Sequence, residues 1–524
     1  MNRLKFHDFT AQDQPLATTK GRQALYLRHY LGDLDATTVI EEPPYFDRDY
    51  LAEFAAFYGV SARGYSNRCR RCHFFSGKGV NRSLVKAALG GSRRALARLQ
   101  DQYLGFAVIR PIPAAPLGRT VLKWYPDRPA PSPPRVTEPK RAYACHLAGI
   151  TLTVEGLAWQ QQDTGVGACA TVAVWSALHS SAFDDHHAIP TTADITRYAH
   201  RTASLGARIF PSNGLSIFQL CEAIKEAGLA PVVLQGDAVR PLPNGAQAEA
   251  FSPDRFTSAC ASLIRSGYPV IVVGELEGDG KHAVCTVGFR EVIPSNPGPG
   301  KVELQDAGIE HLYHHDDNIG PSVRVKVERV AANPGQNTTE YVRLVPEAPP
   351  RRHAASLPDP TQGYKKLIPT QIVAAVHEDL RTSPDRLLEK ALVLTTQVMA
   401  TVNALRKAGI VQLPGDIGLT VGTRFMKVHK YMDDEVGRVL AGTAVLGRVR
   451  LDILEKIGPM SLHIGIVRIG WGGVPLLDLL FDTTDSDRNM TAWGHVAYDP
   501  FFAAVVDVMR QSGKLEPGPL VPAY

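Results

Sequence analysis

Cys169 stands where a polar loop meets an apolar run, in "WQQQDTGVGACATVAVWSAL" (159–178). The ten residues from the cysteine onward contain neither Gly nor Pro, and they predict a buried helix with the thiol in its first turn. A sulfur there meets the positive end of the helix dipole and free backbone N–H groups, and both favour the nucleophilic thiolate. Gly165 and Gly167 give the preceding loop conformational freedom. A cysteine is also a common small core residue, so the position alone decides little. A thiolate nucleophile needs a base, and His282 opens the β-rich run "HAVCTVGF" (282–289). A carboxylate must then accept from the imidazole Nδ1–H, which fixes the tautomer and stabilises the imidazolium. Asp306, Asp316 and Asp317 all follow His282 closely enough to serve, and the adjacent Asp316 and Asp317 would face opposite sides of an extended strand, so that only one of them reaches His282.

The elements that carry these residues are legible in outline. "YPVIVVGELE" predicts a central strand, "GDGK" a turn, and "HAVCTVGF" a second strand with His282 at its mouth. "KVELQD" ends at Asp306, and "HLYHHDDNIGP" holds Asp316 and Asp317. Proline-rich stretches at 125–141 and 345–360 read as connections. They divide the chain into a basic, mixed α/β part (1–127), a middle part (140–347) and a C-terminal α/β part (362–524). In the last, Ser383 caps a helix, Pro384 fits its first turn and Gly409 ends it. The two flanking parts show no recognisable chemistry of their own.

"GYPVIVVGE", "HAVCTVGF" and a glutamine shortly before a helix-opening cysteine together resemble the papain-like cysteine peptidase superfamily. The likeness is greatest to its bacterial branch of bacteriocin-processing, leader-cleaving peptidases, and it covers residues 145–330. The resemblance implies an α+β protein with a papain-like middle domain. It implies Cys169 as nucleophile, His282 as base, and a cleft between a helical half and a sheet half. The family places its oxyanion glutamine six residues before the cysteine. Here that position is Asp163, with Gln162 and Gln161 at seven and eight, so the amide role falls to Gln162. The turn "NIGP" after the acidic pair matches the family's strand end, so Asp316 is the expected third member, with Asp317 and Asp306 as alternatives. The implied reaction is cleavage of a peptide or isopeptide bond in a protein or peptide substrate, with no metal and no organic cofactor. Transglutamination, deamidation or removal of a ubiquitin-like modifier would use the same apparatus. A papain-like scaffold that only binds a partner is the non-catalytic alternative.

Composition sets the wider limits. No apolar run is long enough for a transmembrane helix, and the N-terminus lacks the apolar core of a signal peptide, so a cytoplasmic protein without membrane attachment is expected. Seven cysteines, an odd number, fit reduced thiols better than a disulfide framework. "CRRCHFF" (69–75) carries the haem-attachment pattern, which would require export, and a zinc site there would need Cys145 and His146 as distant partners. "DDHH" (184–187) reads as a solvated loop. "SGKGVNRS" lacks phosphate-loop spacing. Residues 61–123 hold ten Arg and three Lys against Asp101, a local charge of +12 in a chain of net charge +5. An acidic or nucleic-acid partner for that segment would reveal itself by affinity that falls steeply with salt. Internal pairing of the arginines is the alternative.

Overall fold

Five strands of the middle part and a sixth from beyond the second proline cluster pair into a closed antiparallel ring. In order they are Val270–Leu276, Lys281–Arg290, His311–Asp316, Gly320–Ala331, Glu340–Pro346 and Leu367–Val376, and the last pairs back onto the first. Runs such as Val270–Val273 and Ala283–Val287 suit a pleated, buried surface. Closure depends on Gly274, the register partner of His282. A Cβ there would fall 2.2 Å from the Ile368 carbonyl oxygen, so only glycine lets the first and last strands meet.

The computed structural model describes all residues except 1–3, 127–131, 164, 184–187, 203–207, 213, 243–245, 279, 293–295, 333–338, 350–356, 410–416, 485–489 and 517. The "DDHH" stretch therefore lies outside the described residues. Helix makes up 31% and strand 33%, an α+β composition. Among the described residues no helix is long and apolar enough to cross a membrane.

The chain divides into two compact units. One comprises Met1–Phe251, Tyr268–Phe289 and His311–Ala375; the other comprises Ser252–Gly267, Arg290–Glu310 and Val376–Tyr524. The boundaries expected at the proline clusters do not coincide with this division. The N-terminal part and most of the middle part share the first unit. The helix Pro253–Arg265 and the strand Val302–Leu304 join the second. The physical reason is pairing: Val302–Leu304 runs parallel to Leu419–Lys427. The helix is tied to the same sheet, with Thr423 Oγ1 donating to Ser262 Oγ at 3.1 Å and Phe425 N to Ser266 Oγ at 2.8 Å. In this unit the helix Pro384–Lys407 is capped by Ser383 as expected, and Gly409 follows it with φ +69.

The first unit also holds a five-stranded antiparallel sheet, in the order Lys5–Asp8, Ala36–Tyr45, Cys69–Ser76, Tyr103–Ile109 and Leu117–Leu122. "CRRCHFF" is its central strand. Cys69 and Cys72, three apart on an extended chain, face opposite sides and cannot share a ligand. Cys145 and His146, adjacent on the strand Arg141–Leu147, diverge in the same way. All seven cysteines are free thiols. The basic segment is partly neutralised from outside itself. Arg70 pairs with Glu41, Arg71 with Glu42, Arg110 with Glu53, and Arg119 with Asp47 and Asp49. The other six arginines of the segment are exposed.

Candidate active site

Three threads of the first unit converge on Cys169. The first is the cysteine helix, Cys169–Leu178, in which every residue after the thiol is buried. Apolar character all round its axis explains that burial. Its N-cap, Ala168, offers no side-chain cap; Asp163 organises the preceding loop instead. One Asp163 oxygen accepts from the backbone N–H of Gly165, Val166 and Gly167 at 2.7, 2.5 and 3.1 Å. The glycines act differently from expectation. A Cβ on Gly165 would stand 2.7 Å from the Phe57 ring, so close packing is what requires glycine there, and Gly167 has no left-handed backbone conformation.

The second thread is the glutamine segment. It lies along the edge of the five-stranded sheet, where Trp159 and Thr120 exchange backbone hydrogen bonds and Gln161 N donates to Leu117 O. Gln161 is consumed by that edge: its side-chain oxygen accepts from Leu117 N at 3.2 Å. Gln160 donates to Glu53 at 3.1 Å. Gln162 is left to line a cavity of about 910 Å³ together with Cys169. Its amide donates to Asn318 Oδ1 at 2.7 Å, which leaves its second N–H available.

The third thread is the strand ring, which brings His282 and the acidic pair together. His282 Nε2 lies 3.4 Å from Asp316 Oδ1 and 3.7 Å from Asp317 Oδ1. The Cys169 thiol acts on the same imidazole and favours its protonated form. With Nε2 committed to the carboxylates, Nδ1 is the nitrogen left for the thiol. This corrects the sequence-based expectation that the carboxylate would accept from Nδ1–H. A second correction concerns the neighbours Asp316 and Asp317, expected on opposite faces of a strand. The strand ends at Asp316 and Asp317 begins a turn, so both reach the imidazole. Asp306 belongs to the other unit, where Arg265 holds it at 3.1 Å.

Electrostatics separate the two acids. Burial opposes the charged imidazolium, but Asp316, the thiol and Asp317 outweigh it and keep His282 protonated well above its usual range. Burial also opposes the Asp316 anion, but the His282 charge and hydrogen bond, with the Asn318 N–H at 2.9 Å, hold its carboxyl below the usual range. Burial and the neighbouring Asp316 charge push Asp317 up to about 7. Asp316 is therefore the anionic partner of the imidazolium.

Sequence reasoning missed several residues. Tyr364 follows the second proline cluster and carries no sequence signal, yet its hydroxyl lies 3.3 Å from both His282 Nε2 and Asp316 Oδ1. Asn318 joins Asp316 to Gln162. Glu53 and Arg110 come from the flanking part that showed no chemistry. Arg110, fully buried, lies 2.8 Å from Glu53 and 3.6 Å from Asp163, and it donates to Gln161 O at 3.0 Å.

Substitutions should rank the acids. Asp316→Ala should slow Cys169-dependent turnover by about 10²–10⁴-fold, the range of a general acid–base contribution. Asp316→Asn should cost less, because an amide oxygen still accepts from Nε2–H, and Asp306→Ala should cost nothing. Equal losses for Asp306→Ala and Asp316→Ala would remove Asp316 from the site.

No protein-family model matches the chain, and no curated protein matches it.

Proposed function

We propose that the protein is a thiol hydrolase of the papain-like kind, cleaving a peptide or isopeptide bond in a protein or peptide substrate. One observation carries this reading: a cysteine at a helix N-terminus acts on a buried histidine whose Nε2 lies 3.4 Å from a buried aspartate. The closed antiparallel ring beside an all-buried cysteine helix supports the same fold reading. In this reading Cys169 Sγ attacks the carbonyl carbon. The Gln162 amide and the Cys169 backbone N–H receive the oxyanion. His282 protonates the departing amine, leaving a thioester, and then takes a proton from the water that hydrolyses it. Asp316 keeps the imidazole oriented throughout. The cavity beside Cys169 has an aromatic wall of Phe57, Tyr58 and Tyr65, suited to a peptide side chain.

The test is product analysis on a peptide library with the wild-type chain and Cys169→Ala. The expected result is new termini that depend on Cys169. If added amines are incorporated in place of water, the reaction is transamidation. If no substrate turns over and no acyl-enzyme forms with a thiol-directed electrophile, the hydrolase reading is wrong.

A further inference from the structure

Asp317 is one carboxylate more than a Cys–His–Asp arrangement uses. It is 2% exposed, one of its oxygens faces His282 Nε2 at 3.7 Å, and the other, Oδ2, has no hydrogen-bond partner among the described residues. A buried carboxylate without full compensation is costly, so this oxygen calls for a ligand. Among the described residues, His282, Asp316 and Asp317 are the one group of metal-ligating side chains whose donor atoms lie within 4.8 Å of one another.

The spacing fits a particular geometry. His282 Nε2, Asp316 Oδ1 and the Tyr364 hydroxyl are separated by 3.3–3.4 Å, and Asp317 Oδ1 lies 3.7 Å from the nitrogen. Donors at zinc bonding distance occupy tetrahedral corners about 3.4 Å apart. We propose that His282, Asp316 and Asp317, with the Tyr364 hydroxyl or a water at the fourth corner, form a divalent-cation site that favours zinc, on the side of the imidazole turned away from Cys169. One imidazole nitrogen and two carboxylates make a mixed N/O set that zinc accepts.

The site has a consequence that rests on the hydrolase reading. A cation on Nε2 takes the lone pair of that nitrogen and displaces the imidazolium's Nε2 proton to solvent. Nδ1 then keeps its hydrogen, as in other metal-bound histidines, but on a ring that has lost the imidazolium's charge-partner role toward the thiolate and gives up that proton to a leaving amine far less readily. Zinc at this site is thus a reversible brake that leaves Cys169 itself untouched.

The thiol is a zinc ligand in its own right, so the test is made in Cys169→Ala. Equilibrium dialysis against zinc alone should find one tight site per chain. Cobalt at that site should show the intense visible absorption of tetrahedral coordination. Adding Asp317→Asn should weaken binding at least tenfold and abolish the cobalt spectrum, and Tyr364→Phe should leave binding within a few-fold. Thermal unfolding of the metal-free variants checks that each is folded; if Asp317→Asn is not, Asp317→Ser takes its place. No tight zinc in Cys169→Ala, or undiminished zinc in a folded Asp317 variant, overturns the site. These binding measurements need no turnover, so a failed hydrolase reading would remove the brake and leave the site standing.

Discussion

Iodoacetamide at near-neutral pH will label Cys169 ahead of every other cysteine. Five of the other six are buried. Cys221 is the informative comparator: it is only half-buried, but burial pushes its thiol up, and the nearby Lys225 does not cancel that. Both cysteines are half-buried, so the difference in rate reports thiolate character. Cys169 has a helix N-terminus and an imidazolium beside it, and Cys221 has neither. We expect at least about a tenfold rate advantage for Cys169. His282→Ala should reduce it to the rate of Cys221, and Cys169→Ala should abolish turnover; Cys145, 3.9 Å from His73 Nδ1, is buried and does not replace it. Peptide mass spectrometry after limited labelling reads the order directly. Cys221 labelled first would end the nucleophile assignment.

Arg110→Ala will be among the most destabilising substitutions in the chain. The guanidinium, Glu53 and Asp163 side chains are each no more than 2% exposed. Breaking a buried ion pair on one side strands the other charge, at a cost of about 3–5 kcal/mol. Here two carboxylates are stranded, and Ala115 O and Gln161 O lose their donors as well. The effect should also reach the thiol. Asp163 holds the N–H groups of the loop that leads into Cys169, and Glu53 holds Gln160 and Thr192. Chemical unfolding followed by the fluorescence of the buried Trp159 and Trp175 measures the first unit. A change under about 1 kcal/mol would show that the network is not structural. Glu53→Gln should be milder, since an amide oxygen still accepts from Gln160 and Thr192.

Local chemistry made part of the molecule readable. A Gly- and Pro-free apolar run after a glycine loop becomes the helix Cys169–Leu178 because nothing in it resists helix and every face is apolar. "HAVCTVGF" becomes a strand for the complementary reason, and the caps at Ser383 and Gly409 work through residues next to one another. The chain also forms two helices, Arg82–Leu89 and Arg93–Gln102, parted at Gly90–Gly91, where Gly91 has φ +88. Proline clusters mark breaks in local periodic structure, which is a different property from where one core ends. Val302–Leu304 crosses to another unit because its backbone groups find their partners on Leu419–Lys427, more than a hundred residues later.

The sequence by itself determined that Cys169 opens a buried helix and that His282 stands at the mouth of a strand. Those properties depend on residue type and on position within a helix or strand, both of which are local. Tertiary structure alone decided which nitrogen of His282 meets the carboxylates, that Asp316 and Asp317 both reach it, and that Tyr364, Asn318, Glu53 and Arg110 stand around the site. Each of these depends on where a strand stops or on which distant segments share a buried space. Tyr364 is 82 residues from His282, and Glu53 is 107 from Gln160. Low dielectric and exclusion of water make such contacts decisive, and both arise only once the ring has closed and the N-terminal sheet has packed along the glutamine segment.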